Sequence, residues 1–215
     1  MNRTFHACAL ACCLLAWGNA PVGAQTASRA GTLLDNVVNK IKSYPAVEVI
    51  FTLTMENKAE NVRESYPGKA YMKGNMYRVE VMDAINYFDG EAIYTYMPEV
   101  EEVTIKDPGE EQEELLDPTI LFDIHNREFT RELLEEKGGK ARVALTPKKP
   151  GQIRTIDVWI DTATNAVERV TSFGNDGNDV SVLITSLKPP GQTPNDAFFR
   201  FDAKAHPGVE VIDLR

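Results

Sequence analysis

The sequence predicts a mainly β protein with some helix (α+β), built on one large antiparallel sheet that must curl or close. Three observations carry this. From residue 47 onward apolar and polar residues alternate with period two, which marks half-buried strands. Turn signals break the alternation at near-regular intervals, dividing it into about eleven strands, too many for a flat open sheet. Helical periodicity is confined to one stretch ahead of the strands and to one interruption within them.

The chain opens with a segment read as a secretory leader. Residues 1–24 carry Arg3, an apolar run from Ala7 to Trp17 and the small-residue sequence Val22-Gly23-Ala24, an order of features that fits export and cleavage after Ala24. Cys8, Cys12 and Cys13 are the chain's three cysteines and all lie in this leader. The mature chain, 25–215, would then be exported, start at Gln25 and use no disulfide. The residues before these cysteines make a poor lipobox, which argues against lipid anchoring. Residues 25–215 suit a single domain with one core, and no later stretch is long and apolar enough for a membrane-spanning helix.

The first element is a helix. Leu33, Leu34, Val37, Val38 and Ile41 recur at helical spacing, Thr32 with Asp35 makes a capping-box start, and Pro45 stops it. Val47, Val49, Phe51, Leu53 and Met55 then alternate with Glu48, Ile50, Thr52 and Thr54 as the first strand. Further strands are expected near 63–72, 75–82, 85–88, 92–97 and 102–106, with Asp89-Gly90 as a turn. After the interruption they resume near 129–135, 140–146, 153–161, 166–173 and 179–187, with turns at Asn165 and Asp176-Gly177. The interruption holds a turn at Asp107-Pro108-Gly109 and an acidic run over 110–114. Asp117-Pro118 then starts a short helix through about Ile124. It reads either as an insertion packed on the sheet edge or as a lid.

Charge and chemistry narrow the function. Lys and Arg number 23 against 32 Asp and Glu, a net charge of −9. Nucleic-acid binding needs clustered Lys and Arg, so it is excluded, and an acidic surface discourages adhesion to anionic lipid headgroups. Outside the leader the histidines are His125 and His206, far apart and without metal-ligand spacing. No nucleophile elbow, phosphate loop or dinucleotide-binding glycine pattern appears. Neither catalysis, nor a metal, nor a cofactor is therefore expected. The run Asn175-Asp176-Gly177-Asn178-Asp179 has a calcium-loop look, but it lacks the later Glu and reads better as a hairpin turn.

The apolar residues are more telling. Methionines 55, 72, 76, 82 and 97 and tyrosines 66, 71, 77, 87, 94 and 96 all fall within one stretch. Such side chains either fill an ordinary core or line a cavity that adapts to an apolar guest. By parity Met76 belongs with Arg78 and Glu80 on the outside. Trp159 likewise alternates away from Ile156, Val158 and Ile160 toward the outer face.

A series of short motifs resembles the periplasmic outer-membrane lipoprotein carrier family, the LolA-type proteins. They are Phe51 and Leu53 after the leading helix, Gly68-Lys69-Ala70-Tyr71-Met72-Lys73, and Phe88-Asp89-Gly90 leading to Tyr94 and Tyr96-Met97-Pro98. Leu145-Thr146-Pro147-Lys148, Trp159-Ile160-Asp161, Phe199-Arg200-Phe201 and Pro207-Gly208-Val209-Glu210-Val211-Ile212-Asp213 continue the series. The last of these resembles the version in the Bacteroidetes branch.

The resemblance implies an incomplete antiparallel barrel of about eleven strands with a short helical lid. It implies a cavity for the acyl chains of lipoproteins, received from an inner-membrane ABC transporter and handed to an outer-membrane acceptor without covalent chemistry. A monomer is expected. Lipid-binding residues would be Val49, Phe51, Leu53, Met55, Ala70, Met72, Tyr77, Val79 and Val81. Lid contacts would be Leu34, Val37, Val38, Ile41, Ile120, Leu121 and Ile124. Enterobacterial members place an arginine and a proline after the lysine that ends the second strand; here Gly74 and Asn75 follow Lys73, so that latch is missing. A lipid-sensing or regulatory binding module, or an outer-membrane lipoprotein receptor, would be alternatives on the same scaffold.

Overall fold

The computed structural model describes residues 22–108 and 129–215. The expected lid helix, with Ile120, Leu121 and Ile124, and most of the expected leader lie outside the described residues.

Helix α1 spans Val22–Lys42. It begins well before the expected cap at Thr32, whose hydroxyl instead donates to the Ser28 carbonyl within the helix, 3.1 Å away. The residues ahead of it, Ala24 to Ala30, are mostly good helix formers, so no break precedes Thr32. One stripe of α1 is fully buried: Ala30, Leu33, Leu34, Val37, Val38 and Ile41. The helix ends where Ser43 and Tyr44 close the last turn onto the carbonyls of Asn39, Lys40 and Ile41, just before Pro45.

Among the described residues twelve strands follow: β1 (Val47–Asn57), β2 (Val62–Lys73), β3 (Met76–Val81), β4 (Ala84–Phe88), β5 (Ile93–Met97) and β6 (Glu102–Lys106). The second half has β7 (Phe129–Lys137), β8 (Lys140–Pro147), β9 (Ile153–Asp161), β10 (Ala166–Gly174), β11 (Asn178–Lys188) and β12 (Glu210–Asp213). They form a single sheet in the order β12-β6-β5-β4-β3-β2-β1-β11-β10-β9-β8-β7. The sheet curls without closing, leaving β12 and β7 as its edges. Register shifts at Ile50/Phe51, Leu133/Glu135, Val167/Arg169 and Phe173/Gly174 mark irregularities of the kind that bend and twist a sheet.

The expected strands appear within a few residues of their predicted bounds. β12 was not foreseen. It is four residues long and pairs with β6 in parallel, so the sheet is not wholly antiparallel. Turn chemistry is as read: Gly90, Asn165 and Gly177 adopt positive φ. Asp176 accepts from the Asn178 backbone and side-chain amides, which makes 175–178 a hairpin turn.

Among the described residues, two apolar cores lie on opposite faces of the sheet. On the helix face, α1 packs against alternate residues of β1, β2, β3 and β8–β11, among them Val49, Phe51, Leu53, Val79, Val143, Ile156 and Val158. On the other face Tyr87, Tyr94, Tyr96 and Val103 pack with Phe201, brought there by the C-terminal segment. Register explains the split: Tyr77 stands opposite Phe88, whereas Arg78 stands opposite Tyr87, which faces Tyr94. His206 is stacked on Phe201 at 5.0 Å. Three of the six clustered tyrosines, Tyr87, Tyr94 and Tyr96, therefore serve this second core, and Tyr77 alone of the six borders a cavity at the end of α1. Trp159 lies on the outer face, as its parity predicts, between the guanidinium groups of Arg142 and Arg169 at 5.5 Å each.

Candidate lipid-binding cavity

At the C-terminal end of α1 the described residues leave part of the helix face open. The chain reverses through Tyr44, Pro45 and Ala46 into β1, and the β2–β3 hairpin turns at Gly74-Asn75. Between them lies a cavity of about 580 Å³. Its wall is Ile41, Tyr44, Pro45, Ala46, Val47, Met72, Met76, Tyr77 and Phe88, with Lys42, Lys73, Gly74 and Asn75 at the polar side. Gly74 has φ +59, the left-handed value the tight hairpin needs. Tyr77 and Phe88 face each other across β3 and β4 with ring centroids 5.5 Å apart.

Among the described residues the wall contains no carboxylate, histidine or cysteine. It can hold an apolar guest but offers no acid–base pair or nucleophile for one. Lys73 serves the architecture instead, since its ammonium donates to the Asp196 carboxylate at 2.7 Å and the Pro194 carbonyl at 3.1 Å. A lysine at the end of β2 thus ties that hairpin to the C-terminal segment. A second tie lies at Asp89, beside Phe88. Its carboxylate accepts the backbone N–H groups of Glu91 and Ala92 and the Tyr94 hydroxyl, with Arg200 3.4 Å away. Burial pushes the Asp89 carboxyl upward; the backbone N–H groups, the hydroxyl and the Arg200 charge outweigh it and hold it below its ordinary value.

The structure places the expected site residues in several groups. Met72 and Tyr77 of the lipid-binding set and Ile41 of the lid set meet in the cavity wall. Val49, Phe51, Leu53, Ala70 and Val79 lie in the packed core of the helix face, together with Leu34 and Val37. Val38 is also fully buried. Val81 is half-buried and borders a different groove. Met55 is 37 % exposed, because β1 runs on past the reach of α1. Alternation assigns a residue to a face but not to a depth along it, and the helix fills most of that depth. Tyr44, Pro45, Ala46, Val47, Met76 and Phe88 were missed as wall residues; Met76, which parity assigns to the outside, borders the cavity because it sits at the end of the β2–β3 hairpin. Phe88 could have been found, since it is the cross-strand partner of Tyr77.

The family model described as outer membrane lipoprotein carrier protein LolA matches residues 85–202, more than half of the chain. The chain belongs to the LolA family. The match runs from β4 to the C-terminal segment; α1 and β1 to β3, which supply most of the cavity wall, precede it. Among solved structures, an uncharacterized conserved protein from Thermus thermophilus is 12 % identical with a TM-score of 0.56, over 86 % of this chain and 99 % of that one. At that identity the likeness speaks for the fold alone. A LolA superfamily protein from Nitrosomonas europaea is 11 % identical over 81 % of this chain and 98 % of its own, with a TM-score of 0.46. An outer membrane lipoprotein-sorting protein domain from Vibrio parahaemolyticus is 9 % identical over 80 % and 97 %, with a TM-score of 0.47. No curated protein matches the sequence.

Proposed function

We propose that this LolA-family chain is a periplasmic, non-enzymatic carrier that shelters lipoprotein acyl chains and shuttles them from the inner to the outer membrane. The observation that carries this reading is the mostly apolar cavity at the end of α1, which has no carboxylate, histidine or cysteine in its wall among the described residues. Each acyl methylene exposed to water costs about 0.8 kcal/mol, so an acylated protein cannot cross an aqueous space unaided. Family membership supports the periplasmic compartment, and the leader expected over residues 1–24 is consistent with it. The partners are acylated lipoproteins, an inner-membrane ABC transporter that loads them and an outer-membrane acceptor that takes them.

Binding of a fluorescent diacylglyceryl peptide to the delipidated protein tests the reading. Met72→Asp sets a carboxylate in the wall and should abolish binding. Met76→Lys, at a less buried wall position, should weaken it while leaving the thermal melt close to wild type. A folded Met72→Asp protein with undiminished binding would overturn the assignment of this cavity.

A further inference from the structure

β2 is longer than the strand that should cover it. β1 pairs with β2 along Val62–Met72, but β3 pairs only with Gly68–Lys73. From Val62 to Tyr66 the other side of β2 meets no strand among the described residues, and Val62, Arg63, Glu64 and Ser65 are exposed. A strand in the middle of a twelve-stranded sheet is therefore an edge for half of its length. Pro67 marks the boundary. Proline has no N–H for a ladder and is confined to edges, starts of strands and bulges, so its presence in β2 is explained if pairing ends there.

The early end of β3 is built into its hairpin. The chain reverses at Met82 and Asp83, both left-handed with φ 54 and 58 and neither of them glycine. Beside the uncovered edge this leaves a groove of about 590 Å³, walled by Tyr66, Pro67, Val81, Met82 and Pro98, with Asp83 and Glu99 on its rim. Neither rim carboxylate forms a salt bridge among the described residues. The basic groups nearby are taken: Lys69 pairs with Glu48 at 3.2 Å and Arg63 with Glu56 at 3.6 Å.

An unpaired edge next to an apolar groove is the arrangement used for β-augmentation. In that mode the backbone supplies affinity and alternate side chains enter pockets. We propose that Val62–Tyr66 accepts an extended segment of a partner protein in which apolar residues alternate with lysine or arginine. The apolar side chains enter the groove, and the basic ones answer Glu64, Asp83 and Glu99. A second copy of this chain does not fit. Antiparallel self-pairing centred on Glu64 sets Glu64 against Glu64, and like charges directly opposite are destabilising. Both copies would also carry a net charge of −9. The surface is separate from the acyl cavity and does not depend on its assignment.

The test uses the purified protein with a capped Val-Lys-Val-Lys-Val-Lys peptide, its Val-Glu counterpart, fluorescence polarisation and hydrogen exchange. Saturable binding of the basic peptide is expected, with slowed exchange confined to residues 62–66 and the Met82-Asp83 hairpin. Asp83→Asn combined with Glu99→Lys should weaken it about tenfold. Glu99→Lys alone, which leaves the hairpin untouched, should weaken it less and bring the acidic peptide closer in affinity. Absence of saturable binding, protection elsewhere, or equal affinity of wild type for the two peptides would overturn the proposal. So would a concentration-dependent dimer that protects the same amides without peptide.

Discussion

The tip of the Phe51 ring lies over Gly68, its cross-strand partner, in the space that a Cβ on Gly68 would take. The glycine is thus a packing requirement of the ring, since it is a site of close approach inside a strand rather than a turn. Gly68→Ala should force the ring out of the core and cost about 1–3 kcal/mol in urea unfolding. Phe51→Ala alone should cost about 3–5 kcal/mol. The double variant should be less destabilised than the sum of the two, because the clash exists only while both side chains are present. Strict additivity would mean that the two sites do not meet.

This contact shows how far the sequence could be read. Period-two alternation placed Phe51, Val49 and Leu53 on one face, and turn residues such as Asp89-Gly90 and Asn165 divided the strands correctly. Neither signal says which face α1 covers, or where along the face it stops. That depends on the length and placement of one helix, and the capping signal at Thr32 puts its start too late. The cavity wall at Tyr44 to Val47 falls between two periodic segments, so no period reports it. β12 escaped because four residues carry too little alternation to detect. The tyrosines misled for a related reason: Tyr77 of β3 packs in the helix-face core, whereas Tyr87, Tyr94 and Tyr96 pack on the other face with the C-terminal segment.

Asp89 should make a visible acid-side contribution to stability. Its carboxyl is held below its ordinary value in the folded chain. Its stabilisation is therefore present above the unfolded-state pKa of about 3.9 and is lost as pH falls through the folded value. Asp89→Asn keeps an acceptor for the backbone N–H groups but loses the charge facing Arg200. It should cost about 1 kcal/mol at pH 7, and its denaturation midpoint should converge on that of wild type below about pH 4. A gap that stays constant down to pH 3 would show that the charge plays no part.

Arg142 and Asp157 give the opposite sign. The guanidinium donates to Asp157 Oδ2 at 2.8 Å, and the Asp157 side chain is only 4 % exposed. Burial raises the Asp157 carboxyl, opposed only in part by the charge and hydrogen bond of Arg142. Its stabilising contribution is complete below the unfolded pKa and declines as pH rises through the raised folded value. Arg142→Ala strands a buried carboxylate and should cost about 2–3 kcal/mol at pH 7. That is below the range for a fully buried pair because the arginine itself is half-open to water. The loss should shrink as pH falls and Asp157 takes up a proton. Chemical denaturation of both proteins at pH 7 and pH 4 reads this directly, and a loss that grows on acidification would contradict it.

Met82 occupies a left-handed position that asparagine tolerates far better. Met82→Asn should stabilise the β3–β4 hairpin by about 0.5–1 kcal/mol, seen as a raised melting temperature. Acyl binding should not change, since Met82 lies outside the cavity wall. A lowered melting temperature would mean that the packing of the methionine outweighs the backbone strain.

A carrier must release what it binds, so its cavity should not be as apolar as it could be. Asn75 supports this view. It sits at the β2–β3 hairpin, on the wall of an otherwise mostly apolar cavity, with its side-chain amide directed toward Gly90. Asn75→Leu adds apolar surface at the mouth, where on the proposed reading an acyl chain would enter and leave. Burying two or three more methylene equivalents at about 0.8 kcal/mol each should tighten binding of an acylated probe by at least tenfold. Onward transfer to acceptor vesicles should slow in proportion, because the same contact must be broken for release. Met76→Trp is the counterpart: it fills the cavity without adding charge and should weaken binding. If Asn75→Leu tightens binding yet transfer proceeds at the wild-type rate, the mouth at Asn75 is not the path by which the chain leaves.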